Sequence, residues 1–310
     1  VGARRDEVHE HDLGLTHDMK VMVSRRRALL FFGATAGAAA VAAGCASGSN
    51  DTTATTTGSA SATTTQSGGT TAAPQETAGP YPGDGSNGPN VLIESGVVRS
   101  DITGSFGAYS AVAQGVPMTL ELTLRDLAKS GAAGAGMAVY VWHCDRDGNY
   151  SLYGSGITEQ NYLRGVQVAD ADGKVSFTSI FPACYSGRWP HIHFEVYDSL
   201  ETAVAGQNAR LTSQIALPQD ICEAVFAYDS GYARSITNLQ QTSLASDNVF
   251  GDGWDAELAT VTGTPSSGLR VALTVGVAEK SQNTQSGNNS GAQPGGQPPA
   301  GGAPGGRPPR

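Results

Sequence analysis

Between Pro117 and Leu127 the chain reads PMTLELTLRDL, and Met118, Leu120, Leu122 and Leu124 alternate there with Thr119, Glu121, Thr123 and Arg125. A period of two puts the four apolar side chains on one face of an extended strand and the polar ones on the other. Such a strand needs neighbours in a sheet and a second layer to bury its apolar face. Similar segments recur along the chain. GMAVYVWHCD is apolar on both faces, as a central strand would be, and DADGK at 170–174 is a turn signal followed by the strand-like KVSFTSIF. HIHFEVY, TSQIAL, ELATVTGT and LRVALTVGV continue the pattern, with PSSG joining the last two as a hairpin. Only DICEAVFAY, at 220–228, reads as helical. The expected fold is all-β, a β-sandwich of mainly antiparallel strands with long loops to carry a site and little helix.

The flanks of this region are of a different kind. Residues 46–75 are mostly Thr, Ser, Ala and Gly, and residues 279–310 end in GGQPPAGGAPGGRPPR. Neither segment holds enough apolar surface to offset its ordering entropy, so both read as a linker and a tail around one domain at 76–278. Residues 19–45 read as a targeting leader, with Arg25, Arg26 and Arg27 ahead of an uncharged run from Ala28 to Gly44. The arginines resemble a twin-arginine signal. AAGC, ending at Cys45, resembles a bacterial lipobox, with a plain secretory signal as the alternative. Residues 1–18 form an extension before either possible start, Met19 or Met22. The expectation is an exported chain, lipid-anchored at Cys45 and touching membrane only through that leader or lipid. A net charge of −9 gives no support for nucleic-acid binding. Beyond Cys45 three cysteines remain; export permits a disulfide, and Cys184–Cys222 is the expected pair, although spacing alone does not fix it.

The chain has six histidines, and two of them, His191 and His193, flank a single isoleucine in GRWPHIHFEVY. On a strand both imidazoles project from one face while Ile192 projects from the other, which makes half of a metal site. The plainer alternative is a pair of structural histidines. Glu195 lies one step further along the same face, no histidine follows His193, and carboxylates do not otherwise cluster nearby. A zinc hydrolase built on the two histidines therefore lacks its remaining ligands. Tyrosines do cluster: Tyr185 lies six residues before His191, and Tyr150 follows the turn DRDGN, with Tyr153 competing for the same role. A phenol has a pKa near 10, so only a strong Lewis acid displaces its proton. Two phenolates and two neutral imidazoles point to non-heme Fe(III).

ETAGPYP, YVWHCDRDGNYS, NYLRGVQVADADGKVSFTSIFPACY and GRWPHIHFEV occur in this order. Together they resemble the intradiol ring-cleavage dioxygenases, the group of protocatechuate 3,4-dioxygenase and catechol 1,2-dioxygenase, and more closely their exported single-chain bacterial relatives. The resemblance covers nearly the whole of 76–278. It implies Tyr150, Tyr185, His191 and His193 as ferric ligands and Arg188 as the active-site arginine. It further implies Gln214 as a pocket residue and Tyr81 at the substrate's border. The implied reaction splits a catechol-type ring between its two hydroxylated carbons with O2, giving a cis,cis-muconate-type diacid. Tyr185 would accept a substrate proton, and Arg188 would stabilise charge developing on the ring. The short loop between Tyr185 and His191 implies a more open site than in the cytoplasmic enzymes. The chain would act as a monomer or homodimer. The competing reading is a catalytically inactive, metal-containing binding module at the cell surface.

Overall fold

The computed structural model describes residues 70–280. The leader with Cys45, the linker before residue 70 and the tail from residue 281 lie outside the described residues. Nine strands form two sheets: β1 (Pro117–Asp126), β2 (Ala132–Ala133), β3 (Ala138–Trp142), β4 (Arg164–Val168), β5 (Lys174–Ile180), β6 (His191–Tyr197), β7 (Leu211–Ala216), β8 (Thr260–Thr264) and β9 (Gly268–Val277). One sheet runs β2-β1-β9-β8 with β5 also paired to β1, and the other runs β4-β3-β6-β7. Every ladder is antiparallel except β1 with β9, which are parallel from Met118 opposite Leu269 to Asp126 opposite Val277. The all-β sandwich read from the sequence is the fold observed.

Alternation along β1 explains the packing. Met118, Leu120, Leu122 and Leu124 are buried and belong to one core cluster with Phe177 of β5, Val271 and Val275 of β9, and Ile192, Phe194 and Val196 of β6. Burying each such leucine contributes about 1.5–3 kcal/mol relative to leaving it exposed. Strand β6 is buried along its whole length. Its other face carries His191, His193, Glu195 and Tyr197, which the period of two sets apart from the core residues. Against that face lies the segment from Glu76 to Asp84; the Tyr140 hydroxyl donates to Pro82 O at 2.6 Å.

Among the described residues three α-helices join the sheets, α1 (Leu200–Val204), α2 (Gln219–Tyr228) and α3 (Ala233–Leu239), together with four single-turn 3-10 helices. The expected helix at 220–228 is α2; α1 and α3 were not expected. The packed domain also starts before residue 76. Ala73 is buried and its N–H donates to Gly276 O at 2.9 Å, while Gln75 Oε1 accepts from Thr212 N at 3.1 Å. Docking there runs through backbone and small residues, which leave no hydrophobic signal in the sequence. The Cys184–Cys222 disulfide is not formed: Cys144, Cys184 and Cys222 are buried free thiols. Each points at a carbonyl instead, with Cys184 Sγ 3.4 Å from Arg188 O, Cys144 Sγ 3.7 Å from Ala183 O and Cys222 Sγ 3.9 Å from Leu217 O.

Candidate metal centre

Four side chains converge at one end of β6. The ladder sets His193 opposite Trp142 of β3 on one side and opposite Gln214 of β7 on the other. His191 donates through Nδ1 to Trp189 O at 2.5 Å, which leaves the Nε2 lone pair facing inward. His193 is held by its face instead: the Trp142 ring stacks on it at 5.0 Å with an interplanar angle of 6°. Tyr150 arrives on the turn after β3, where Asp145 Oδ1 accepts from the N–H groups of Asp147 at 3.0 Å and Asn149 at 2.9 Å. That is the turn chemistry of an aspartate two residues ahead of the bend. Tyr185 lies in the loop before β6, pinned by α3: Ser235 Oγ accepts from Cys184 N at 3.0 Å and Asn238 Nδ2 donates to Cys184 O at 2.8 Å.

His191 Nε2 lies 3.1 Å from His193 Nε2, 3.2 Å from the Tyr185 hydroxyl and 3.4 Å from the Tyr150 hydroxyl. The two hydroxyls are 3.5 Å apart. One imidazole lone pair accepts one hydrogen bond, so three polar neighbours at these distances exceed what hydrogen bonding alone can satisfy. Donors about 2.1 Å from a shared ion, at about 90–120° to one another, lie about 3.0–3.6 Å apart. The observed spacings fit that geometry, and two anionic oxygens with two neutral nitrogens suit a ferric ion. Among the described residues no group of three or more His, Cys, Asp and Glu side chains forms a metal-holding arrangement. The phenols are therefore needed to complete the set.

Tyr150, His191 and His193 are buried, while Tyr185 keeps partial exposure. Burial, and then the positive field of Arg188 for His191 or of neighbouring His191 for His193, holds both imidazoles well below their ordinary pKa. Burial raises both phenols, Tyr150 well above its usual value and Tyr185 to about 12, with Arg188 partly opposing the rise at Tyr185. At neutral pH the metal-free site thus holds two neutral imidazoles and two protonated phenols. A metal held by both phenols would displace both protons, so its apparent affinity would rise with pH. In chelator-buffered titrations between pH 6 and 8, wild type is expected to release about one proton more per iron than Tyr185→Phe. Equal pH slopes for the two proteins would remove Tyr185 from the donor set.

Arg188 has a built environment. Its Nε donates to Asp247 Oδ2 at 2.9 Å and its Nη2 to Gln214 Oε1 at 2.6 Å. Asp247 is buried and also accepts from the N–H groups of Trp189 at 2.7 Å, Val249 at 2.9 Å and Phe250 at 3.2 Å. Gln214 passes the chain of bonds on, donating through Nε2 to Thr77 O at 2.9 Å. Tyr81 borders the donors, with its ring centroid 5.1 Å from that of Tyr150 and 5.0 Å from that of Tyr153. The other candidates lie elsewhere. Tyr153 donates to Asn87 Oδ1 at 2.7 Å and accepts from Gly83 N at 3.0 Å, and Glu195 accepts from Tyr197 and Thr212. Sequence reasoning missed Asp247, which sits 59 residues from Arg188 in a loop that carries no pattern.

Residues 109–249 match the model of a family described as Dioxygenase. A chlorocatechol 1,2-dioxygenase of Rhodococcus opacus is 41% identical over 56 residues, 18% of this chain and 22% of that protein. The match thus spans about a fifth of that curated relative's length. An intradiol ring-cleavage dioxygenase from Tetranychus urticae superposes with a TM-score of 0.52 at 22% identity, over 67% of this chain and 95% of that one. A second solved dioxygenase gives 0.53 at 23% identity, over 67% and 94%. These two likenesses bear on the fold. The four converging donors, Arg188, Gln214 and Asp247 all fall inside residues 109–249.

Proposed function

We propose that this chain, a member of the intradiol ring-cleavage dioxygenase family through residues 109–249, is a non-heme iron(III) enzyme that opens catechol-type rings with O2. The observation that carries the reading is the convergence of two phenols and two imidazoles at 3.1–3.5 Å beside a held arginine. Tyr150, Tyr185, His191 and His193 would hold the ion, which supplies Lewis acidity and a template for the two catechol oxygens.

The chain's own groups do the rest. Tyr185 is the partly exposed phenol of the pair, so its hydroxyl oxygen is the one positioned to take a proton from an entering catechol. Arg188, fixed by Asp247 and Gln214, sets a permanent positive charge where the ring becomes electron-rich. Trp189 O accepts from Nδ1 of His191, which leaves Nε2 as the donor to the ion, while burial and Arg188 keep the ring neutral. The Tyr81 ring forms a wall of the site beside Tyr150.

Oxygen uptake on adding catechol to iron-loaded protein tests the proposal, with product mass equal to catechol plus two oxygen atoms. An iron-loaded protein that binds catechols yet consumes no oxygen with any of them would instead be a binding module. The leader suggests where the reaction takes place. Export with lipidation at Cys45 puts the domain at the bacterial cell surface, on the linker that follows. Membrane association lost in Cys45→Ser would agree with this, and unchanged association would contradict it.

A further inference from the structure

We infer that Arg164 is a positioning residue that clamps the N-terminal segment 76–84 over the metal donors and thereby shapes the substrate side of the site. Arg164 opens β4 opposite Trp142 and is only 1% exposed. Its Nε donates to Ser151 Oγ at 3.0 Å, and its Nη2 donates to Ser151 O at 3.0 Å and Tyr81 O at 2.9 Å. Its Nη1 donates to Pro82 O at 2.8 Å and to the Tyr140 hydroxyl at 3.1 Å. All five acceptors are uncharged. Arg210, the other buried arginine, pairs with Asp126 and Asp198, and the half-buried Arg188 pairs with Asp247, while none of the ion pairs among the described residues includes Arg164.

Burying a guanidinium without a counter-ion is expensive, and a well-packed apolar side chain would cost less. What the guanidinium provides here is a flat fork that satisfies carbonyls from two separate segments at once, which an ammonium does not reproduce. One segment is Ser151, the residue after the donor Tyr150. The other is Tyr81–Pro82, whose placement depends on it. At its far end the same segment is fixed by the Gln214 bond to Thr77 O and passes over His193, where a Cβ on Gly79 would lie 3.3 Å from the imidazole Cε1. The segment thus runs from Gln214 across His193 to Tyr150 as a strap. Tyr153 secures it from outside, accepting from Gly83 N beneath the Arg164 guanidinium, which sits 5.6 Å from the Tyr153 ring. Gly83 has a φ of +68°, and a Cβ there would lie 2.8 Å from Arg164 Nη1.

Two variants test the clamp. Arg164→Lys keeps a charge but loses the fork, and Gly83→Ala pushes a methyl group against the fork while leaving the charge in place. Hydrogen–deuterium exchange on the metal-free protein should show the Gly83 and Val91 amides at least ~10-fold faster in either variant, with the β1 amides of Leu120 and Leu122 within about twofold of wild type. Val91 reports the strap because its N–H donates to Gly83 O at 2.7 Å. With iron bound, KM for catechol should rise by ~10-fold or more, with a smaller change in kcat and an unmoved phenolate absorption band. That kinetic part rests on the dioxygenase reading; the exchange result does not, so the two can fail separately. Unchanged strap exchange in both variants would overturn the inference, as would strap and β1 amides accelerating together, which marks general destabilisation.

Discussion

Iron and turnover are expected to disappear together in His191→Ala. His191 Nε2 is the hub of the donor set, within 3.1–3.4 Å of His193, Tyr185 and Tyr150. Its orientation is set by the Trp189 carbonyl, which accepts from Nδ1 and leaves Nε2 for the ion. Removing a group that merely orients a metal ligand typically costs 10–100-fold in affinity, so removing this ligand should cost at least ~100-fold. The variant should leave gel filtration with no stoichiometric iron and with turnover below detection. The metal-free fold should persist, because the core of β6 is made by Ile192, Phe194 and Val196 on the opposite face. Metal analysis and circular dichroism check the two halves. Wild-type iron content in this variant would show that the ion, if bound, sits elsewhere.

Arg188→Gln should separate the two properties. Arg188 supplies charge beside the phenols without being a donor to the ion, so iron content should stay near that of wild type. Removing one preorganised electrostatic group from an enzyme site typically lowers kcat by ~100–1000-fold, and that loss is expected here with KM changing less. The substitution leaves Asp247 three backbone N–H partners, from Trp189, Val249 and Phe250, which limits the damage to the fold. Steady-state kinetics on iron-loaded protein measure the effect. A variant that turns over at the wild-type rate would make Arg188 a structural tie between β7 and the loop at Asp247.

What the sequence reveals here follows the range of the interactions. The alternation in β1 and the pair of histidines on β6 are local patterns, and the sandwich and half of the candidate donor set could be read from them directly. Tyr150 and Tyr153 are three residues apart in the same turn-rich segment. The family resemblance favoured Tyr150, and the fold brings Tyr150 to the donors while sending Tyr153 to the strap. Asp247 and Arg164 left no trace, because each acts through partners far away in the chain: Arg164 reaches Pro82 across 82 positions. An arginine in NYLRG looks like a surface residue until the strap is laid over it. The expected disulfide failed for a related reason, since pairing depends on where three buried thiols point. The early docking of Ala73 escaped notice because a backbone bond to Gly276 needs no particular side chain.

Whether Tyr150 and Tyr185 ligate iron is tested most directly by a visible absorption spectrum during anaerobic iron loading, followed by air. Phenolate-to-Fe(III) charge transfer should turn the protein wine-red at one iron per chain, and adding catechol should shift the band. The colour should weaken in Tyr150→Phe and in Tyr185→Phe. A wild-type protein that takes up one ferric ion and stays colourless would contradict the phenolate ligation on which the proposed function depends.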